Sequence, residues 1–277
     1  MLHNHLAECR ASRSRRARTV KGVPSALGLF VGAGGLDLGF RMAGYDILAA
    51  CDTDPFAAKT YRANSPDVPF LLEDIRSLSK TQLVAALRGR RPDVIIGGPP
   101  CQGFSTLGDR LSGDPRNGLV EAFIRIVEWL RPQAVVIENV RAIATEYKGR
   151  YRDQIVNGLR DAGYSTHFSV LNAADYGVPQ HRRRAFFVAF ADPRVEYEFP
   201  HSTHGKAKQP YATVGEAIGD LADKDERVAN HTPLQHSEKV IARYRLIPEG
   251  GMLPPPEQLP SRNTSLQFRE HLQTAAS

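Results

Sequence analysis

The sequence predicts an α/β protein with a Rossmann-like sheet, and two observations support this fold class. From Ser25 onward, short apolar runs alternate with helical segments, which is the pattern of a parallel α/β sheet. The first apolar run leads into a glycine-rich turn at residues 30–35, and a helical pattern follows it directly. No repeat of fixed period interrupts this alternation.

Each element is predicted from its local pattern. Apolar and β-branched runs predict strands at 26–31, 47–51, 70–72, 93–97, 134–137, 165–171 and 185–190. Helical spacing predicts helices at 36–43, 55–64, 81–87, 119–130 and 151–162. Beyond residue 192, Pro, His, Gly and charged residues dominate and the apolar periodicity fades. We therefore expect a domain over 24–192 and a loop-rich region over 193–277.

Composition excludes several classes of protein. The 277 residues are 42% hydrophobic and 24% charged, as in an ordinary globular protein. No apolar stretch approaches the roughly 18 residues of a membrane helix, so we expect no membrane partner. The three cysteines, Cys9, Cys51 and Cys101, are widely spaced. This spacing matches neither a disulfide framework nor a zinc site, so we expect no metal and a reducing, cytoplasmic location.

Most of the net charge of +6 lies in residues 1–23, which hold six basic residues and one acidic residue. We expect this basic tail to be disordered. An incorrectly assigned start codon and a DNA-binding arm both explain it, and it weakly resembles an organelle-targeting segment.

The first glycine turn indicates a ligand at a helix N-terminus, because glycine lets the backbone turn tightly and approach the ligand. Asp52 ends the second predicted strand, where a carboxylate can bind ribose hydroxyls. Asp74 follows the third strand and can accept a hydrogen bond from an adenine amino group. Asp37 stands where a dinucleotide fingerprint has Gly or Ala, and we expect it to crowd the helix against the strand. A nucleoside cofactor without pyrophosphate therefore fits better than NAD.

The segment at 97–105, Gly-Gly-Pro-Pro-Cys-Gln-Gly-Phe-Ser, is more specific. Its cysteine, Cys101, lies in a proline-stiffened loop just beyond a predicted strand, at the sheet edge where ligands bind. Cysteines more often pack as small buried hydrophobes. In this loop, a nucleophilic thiolate is the better interpretation.

Five separated segments resemble the DNA (cytosine-5) methyltransferase family, in the family's order. They are Phe-x-Gly-x-Gly-Gly at 30–35, Pro-Pro-Cys-Gln-Gly-Phe-Ser at 99–105, Asp-Pro-Arg at 114–116, Glu-Asn-Val at 138–140 and Gln-His-Arg-Arg-Arg at 180–184. The match covers about residues 26–190. It implies a Rossmann-like S-adenosylmethionine-dependent methyltransferase domain, followed by a partial target-recognition region.

The resemblance also implies roles for named residues. The catalytic residues would be Cys101, Glu138, Arg182 and Arg184. S-adenosyl-L-methionine would contact Phe30, Gly32, Ala33, Gly34, Gly35, Leu36, Asp52, Thr53, Asp74, Ile75, Pro100 and Leu119. Duplex DNA would contact Gln102, Ser105 and Gln180.

The implied chemistry explains these residue types. Attack of the Cys101 thiolate at C6 of cytosine makes C5 nucleophilic toward the methyl group. Glu138 would hydrogen-bond or protonate N3, and Arg182 and Arg184, alternating on one strand, would hold O2 and a phosphate. Reaching C6 requires the base to be flipped out of the duplex.

The sequence departs from the family at three places. Gly28 stands where the family usually has Asp, which removes one interaction that caps the cofactor loop, and Thr53 stands where a large residue often stacks on adenine. The family's closing Asn-x-Val-Pro-Pro-like stretch is missing. We therefore expect a truncated, frameshifted or split enzyme that is weak alone and is completed by a second polypeptide.

Four functions follow as alternatives. A DNA methyltransferase of a restriction-modification system, paired with a cognate restriction endonuclease, fits best. A catalytically impaired DNA-binding remnant, or one subunit of a split enzyme, is the second. A transfer-RNA cytosine-5 methyltransferase is the third, and a nicotinamide-dependent oxidoreductase is the weakest.

Overall fold

A computed structural model describes residues 22–100, 118–145, 149–221, 234–248 and 251–255. Its centre is a seven-stranded sheet with the order β3-β2-β1-β4-β5-β7-β6. The strands are β1 (Ser25–Leu29), β2 (Asp46–Asp52), β3 (Phe70–Leu72), β4 (Val94–Gly97), β5 (Ala134–Val140), β6 (Ser165–Asn172) and β7 (Arg183–Phe190). The predicted α/β class is confirmed.

Within the described residues, five helices lie between successive strands along the chain, and two short helices follow the last strand. They are α1 (Gly35–Met42), α2 (Pro55–Asn64), α3 (Lys80–Ala86), α4 (Gly118–Leu130), α5 (Arg150–Asp161), α6 (Val214–Ile218) and α7 (Glu238–Tyr244). Among the described helices, none combines the length and apolarity that crossing a bilayer requires.

The sheet is mixed: its strands β3, β2, β1, β4 and β5 are parallel, as the alternating pattern predicts. β7 lies between β5 and β6 and runs antiparallel to both. No local sequence pattern reveals this direction, because a buried strand has the same apolar pattern in either orientation. The reversal brings the Arg183–Arg184 end of β7 beside the Glu138–Val140 end of β5, where Val140 is paired with Arg184.

The largest apolar core packs strands of the sheet against α3, α4 and α5. The central strands are buried, with all five residues of β1 inside, and α4 buries one face through Phe123, Ile126 and Val127. Burying a side chain of this kind contributes roughly 1.5–3 kcal/mol. The sheet edge carrying the site is therefore held by a rigid scaffold.

The chain divides into two compact units, residues 1–214 and 215–277. The expected boundary near residue 192 lies inside the first unit. In the second unit, the described residues contain most of α6 and all of α7.

Residues 203–211 are anchored to the turn between β6 and β7. The backbone N–H groups of Thr203 and His204 donate to the Asp175 carbonyl at 2.9 and 3.0 Å. The Tyr211 hydroxyl donates to Asp175 Oδ1 at 3.0 Å. This segment therefore belongs with the sheet rather than with the unit that follows.

Candidate active site

The glycine turn after β1 has an unusual backbone. Phe30, Gly32 and Gly34 all have positive φ, of 55, 54 and 98°. A Cβ on Gly34 would lie 2.8 Å from Tyr61 Cδ2, so only glycine fits there. A Cβ on Gly32 or Gly35 would meet no atom within 4 Å. The turn thus packs against α2 on one side and leaves space open on the other.

Asp52 holds this turn in place. Its Oδ2 accepts a hydrogen bond from the Gly32 N–H at 2.7 Å, and its Oδ1 accepts one from the Asp54 N–H at 2.9 Å. The sequence predicts a ribose ligand here. Since a carboxylate has about four lone-pair sites, Asp52 can fix the turn and still accept from a ribose hydroxyl.

Asp37, in the first turn of α1, is buried with only 2% of its surface exposed. Its Oδ2 accepts a hydrogen bond from the Tyr61 hydroxyl at 2.7 Å. Burial, partly offset by Tyr61 and by the charge of Arg41, raises the pKa of Asp37 to about 6. A Cβ built on Gly28 would lie 2.5 Å from both carboxylate oxygens. The expected crowding is thus relieved at Gly28, and the Asp37 carboxylate fills the space next to it.

A cavity of about 500 Å³ opens beside the turn. Its lining combines the end of β1, the start of α1, and residues that lie in or next to β4, β5, β6 and β7. The lining residues are Leu29, Phe30, Val31, Gly35, Leu36, Asp37, Gly98, Glu138, Leu171, Ala173, Tyr176, Arg182, Arg184 and Phe186. The structure therefore brings predicted cofactor residues and predicted catalytic residues to one cavity.

Glu138 and Arg184 form an ion pair within this cavity. Arg184 Nε lies 3.0 Å from Glu138 Oε1, and both side chains are about three-quarters buried. Partial burial strengthens such a pair relative to a surface one. Arg182 lies one residue before β7 and lines the same cavity as Arg184.

The chain entering the predicted nucleophile loop is fixed beside Glu138. The buried Asn139 side chain donates from Nδ2 to the Pro99 carbonyl at 2.8 Å. A Cβ on Gly98 would lie 3.3 Å from Glu138 Oε2, so the backbone passes close to this carboxylate. Pro100 is exposed and ends the described stretch. Cys101, Gln102 and Ser105 lie outside the described residues.

The other predicted cofactor residues are spread along the same edge of the sheet. Asp74 is bound by Arg76, whose Nε donates to it at 3.0 Å, and this hydrogen bond lowers the pKa of Asp74. Ile75 and Leu119 are buried in the core, with 1% and 8% of their surfaces exposed. The remaining predicted contacts, Ala33, Thr53 and Gln180, are exposed.

Sequence reasoning missed several cavity residues. Tyr176 and Phe186 line the cavity, and the Tyr176 hydroxyl donates to the Pro200 carbonyl at 2.8 Å. The proximity of Tyr176 to the 180–184 motif was the available signal. No sequence signal pointed to Tyr61, because its hydrogen bond to Asp37 depends on the packing of α2. Within the described residues, no cluster of His, Cys, Asp and Glu can hold a metal ion.

Comparisons with known proteins agree with this arrangement. The family model of C-5 cytosine-specific DNA methylases matches residues 25–253. The Type II methyltransferase M1.HphI of Haemophilus parahaemolyticus is 39% identical over 230 residues, covering 80% of this chain and 60% of that protein. M.AquIA of Picosynechococcus sp. is 38% identical over 219 residues, covering 70% of this chain and 88% of that protein.

A solved structure is similar as well. It is a prophage-encoded protein from E. coli, described as a DNA modification methyltransferase, with 31% identity and a TM-score of 0.60. The aligned part covers 70% of this chain and 54% of that one. The chain also spans 60%, 47% and 60% of the length of three curated relatives, M1.HphI, M.XorII and M.DdeI.

Proposed function

The chain belongs to the C-5 cytosine-specific DNA methylase family, and we propose that it methylates C5 of a flipped cytosine in duplex DNA. The observation that carries this proposal is the cavity itself. It joins the glycine turn after β1 to the Glu138–Arg184 pair, and the chain beside Glu138 leads directly into Pro-Pro-Cys-Gln. One cavity thus adjoins a cofactor cradle, a carboxyl group and arginines, and Gly98 in its lining precedes Cys101 by three positions in the sequence.

The cofactor that membership of this family implies is S-adenosyl-L-methionine, and the residues present fit it. The turn at 30–35 leaves open space at Gly32 and Gly35, as close approach of a ligand requires. Asp52 ends β2 and Asp74 follows β3 on the same edge, where they can bind ribose and adenine. When bound, the cofactor supplies an electrophilic methyl group for C5.

The protein residues then act on the cytosine. The Cys101 thiolate attacks C6 and forms a Cys101–C6 bond, which pushes electrons toward C5 and N3. Glu138 holds or delivers a proton at N3, and Arg184, paired with Glu138 at 3.0 Å, keeps that carboxyl oriented. Arg182 binds O2 or a flanking phosphate. Loss of the C5 proton and departure of the Cys101 sulfur restore the aromatic ring.

Transfer of labelled methyl groups tests the substrate class. Purified protein should label duplex DNA from S-adenosylmethionine, and the label should be recovered as 5-methylcytosine. Labelling of transfer RNA in preference to DNA would support the RNA methyltransferase instead. Binding of DNA without any labelling would support the catalytically impaired remnant.

The proposal includes a place in a restriction-modification system, supported by relatives described as Type II methyltransferases. A cognate endonuclease should then be encoded nearby, and DNA methylated by this protein should resist it. The proposal also includes a second polypeptide that completes target recognition together with residues 193–277. Co-expression of a neighbouring open reading frame should then raise specific methylation, whereas unchanged activity would contradict the need for such a subunit.

Asp52→Ala should weaken binding of S-adenosylmethionine by about 1.5–3 kcal/mol, because it removes a charged hydrogen-bond acceptor from the ribose and frees the turn at Gly32. Isothermal titration calorimetry measures this change. Asp54→Asn is the matched control, since asparagine preserves the α2 N-cap that Asp54 provides to Phe56 and Ala57. Unchanged affinity in Asp52→Ala would refute the assignment of Asp52 to the cofactor.

A further inference from the structure

Asp37 is a buried acid that the chemistry above leaves unused. Its Oδ2 is satisfied by the Tyr61 hydroxyl, but its Oδ1 is buried and meets no hydrogen-bond donor in the described part of the chain. Leaving a buried charged acceptor unpaired is costly, because the acceptor has lost its hydrogen bonds to water and gained none in return. Such a group is therefore a strong indication of a missing donor.

The surroundings of Asp37 indicate a cationic donor. Asp37 lines the cavity together with apolar residues of the turn, such as Phe30 and Val31. The other carboxylate among the lining residues, Glu138, is already paired with Arg184. Among the described residues Asp37 forms no ion pair, although the charge of Arg41 acts on it, and it lies on the side of the cavity that adjoins the glycine turn.

We propose that Asp37 binds the positively charged amino group of the amino-acid end of S-adenosylmethionine. This assignment rests on the proposed function. The cofactor has two cationic centres, and since the sulfonium has no N–H to donate, the ammonium is the one of the two that can donate to Oδ1. The adenine amino group is a neutral donor. Asp74, which follows the outer strand β3, can accept its hydrogen bond.

Gly28 explains how the carboxylate reaches this position. A side chain at residue 28 would occupy the space that the Asp37 oxygens fill, since even a Cβ would lie 2.5 Å from them. The strand glycine and the helix aspartate therefore act as a pair. Together they place a carboxylate beside the end of β1, although it originates on α1.

Binding should depend on pH, because the ammonium requires an ionised carboxylate. The charged and titratable groups around Asp37 are Tyr61 on α2, Arg41 on α1, and Glu138, Arg182 and Arg184 across the cavity. No histidine is among the lining residues. With the pKa of Asp37 raised to about 6, its ionised fraction rises about fourfold from pH 5.5 to pH 7.5, and affinity should rise with it.

The test compares three nucleosides by calorimetry. S-adenosylmethionine and S-adenosylhomocysteine both have the ammonium, whereas 5′-methylthioadenosine has no amino-acid end. Asp37→Asn should weaken the first two by about ten- to hundredfold and change the third less than about twofold. It should also abolish the pH dependence. Asp67→Asn, at an exposed aspartate, should leave all three affinities unchanged.

Tyr61→Phe provides an independent variant that keeps the carboxylate. Since the Tyr61 hydrogen bond lowers the pKa of Asp37, its loss should move the midpoint of the pH dependence upward while the preference for ammonium-bearing nucleosides remains. Equal weakening of all three nucleosides in Asp37→Asn, or none, would overturn the assignment of Asp37. A wild-type protein that binds none of them would instead contradict the proposed function, and the Asp37 assignment with it.

Discussion

Replacing Cys101 by serine is expected to abolish methyl transfer to DNA and covalent trapping on DNA that contains 5-fluorocytosine. Fluorine at C5 cannot leave as a proton, so the wild-type protein should remain bonded to C6 after methylation. A serine hydroxyl has a far higher pKa than a thiol and is not ionised near neutral pH. Its attack on C6 should therefore be undetectable.

Denaturing electrophoresis with S-adenosylmethionine measures the trapped complex directly. Cys9→Ser is the matched control, because Cys9 lies in the basic tail outside every predicted motif. Calorimetry should show that Cys101→Ser still binds S-adenosylmethionine, which separates loss of chemistry from loss of fold. An adduct that persists in Cys101→Ser would show that another residue is the nucleophile.

Glu138→Gln should lower the rate of methyl transfer by about 10²–10⁴-fold, the usual contribution of a general acid or base. Glutamine has nearly the same shape, but it neither donates a carboxyl proton nor neutralises Arg184, which is 3.0 Å from Glu138 in the wild type. Single-turnover labelling with excess enzyme measures the rate of the chemical step.

Glu128→Gln serves as the control for this variant, because Glu128 is exposed on α4, away from the cavity lining. It should leave the rate unchanged. S-adenosylmethionine should bind Glu138→Gln with nearly wild-type affinity, since the predicted cofactor contacts remain intact. A rate within about threefold of wild type would exclude Glu138 from proton transfer.

Much of the fold was predictable because its signals are local. The α2 helix and β3 strand occupy the residues expected, 55–64 and 70–72, since Pro55 and the bounded apolar run mark them clearly. β5 was expected to end at residue 137 but continues to Val140. Two of the three additional residues, Glu138 and Asn139, are polar, and all three are held in the strand by pairing with β7, which no local pattern reveals.

The site residues that belong to a sequence motif could be predicted. Those whose role depends on how separate elements pack together could not. The 30–35, 138–140 and 180–184 motifs all contribute residues to the cavity lining. The relation of Asp37 to Gly28 and Tyr61 depends on α1 and α2 folding against β1. In the sequence, Asp37 stands out only because it departs from the dinucleotide-binding fingerprint. Gly28, which accommodates its side chain, lies nine positions earlier in the chain.

The anchoring of residues 203–211 to Asp175 bears on how hybrid enzymes should be built from this chain. A fusion that replaces everything after residue 192 discards Thr203, His204 and Tyr211, and with them the hydrogen bonds that brace the turn preceding the arginine motif. A junction at 214/215 follows the division between the compact units and keeps that brace. Exchange of the C-terminal segments between relatives should therefore succeed at the later junction and fail at the earlier one.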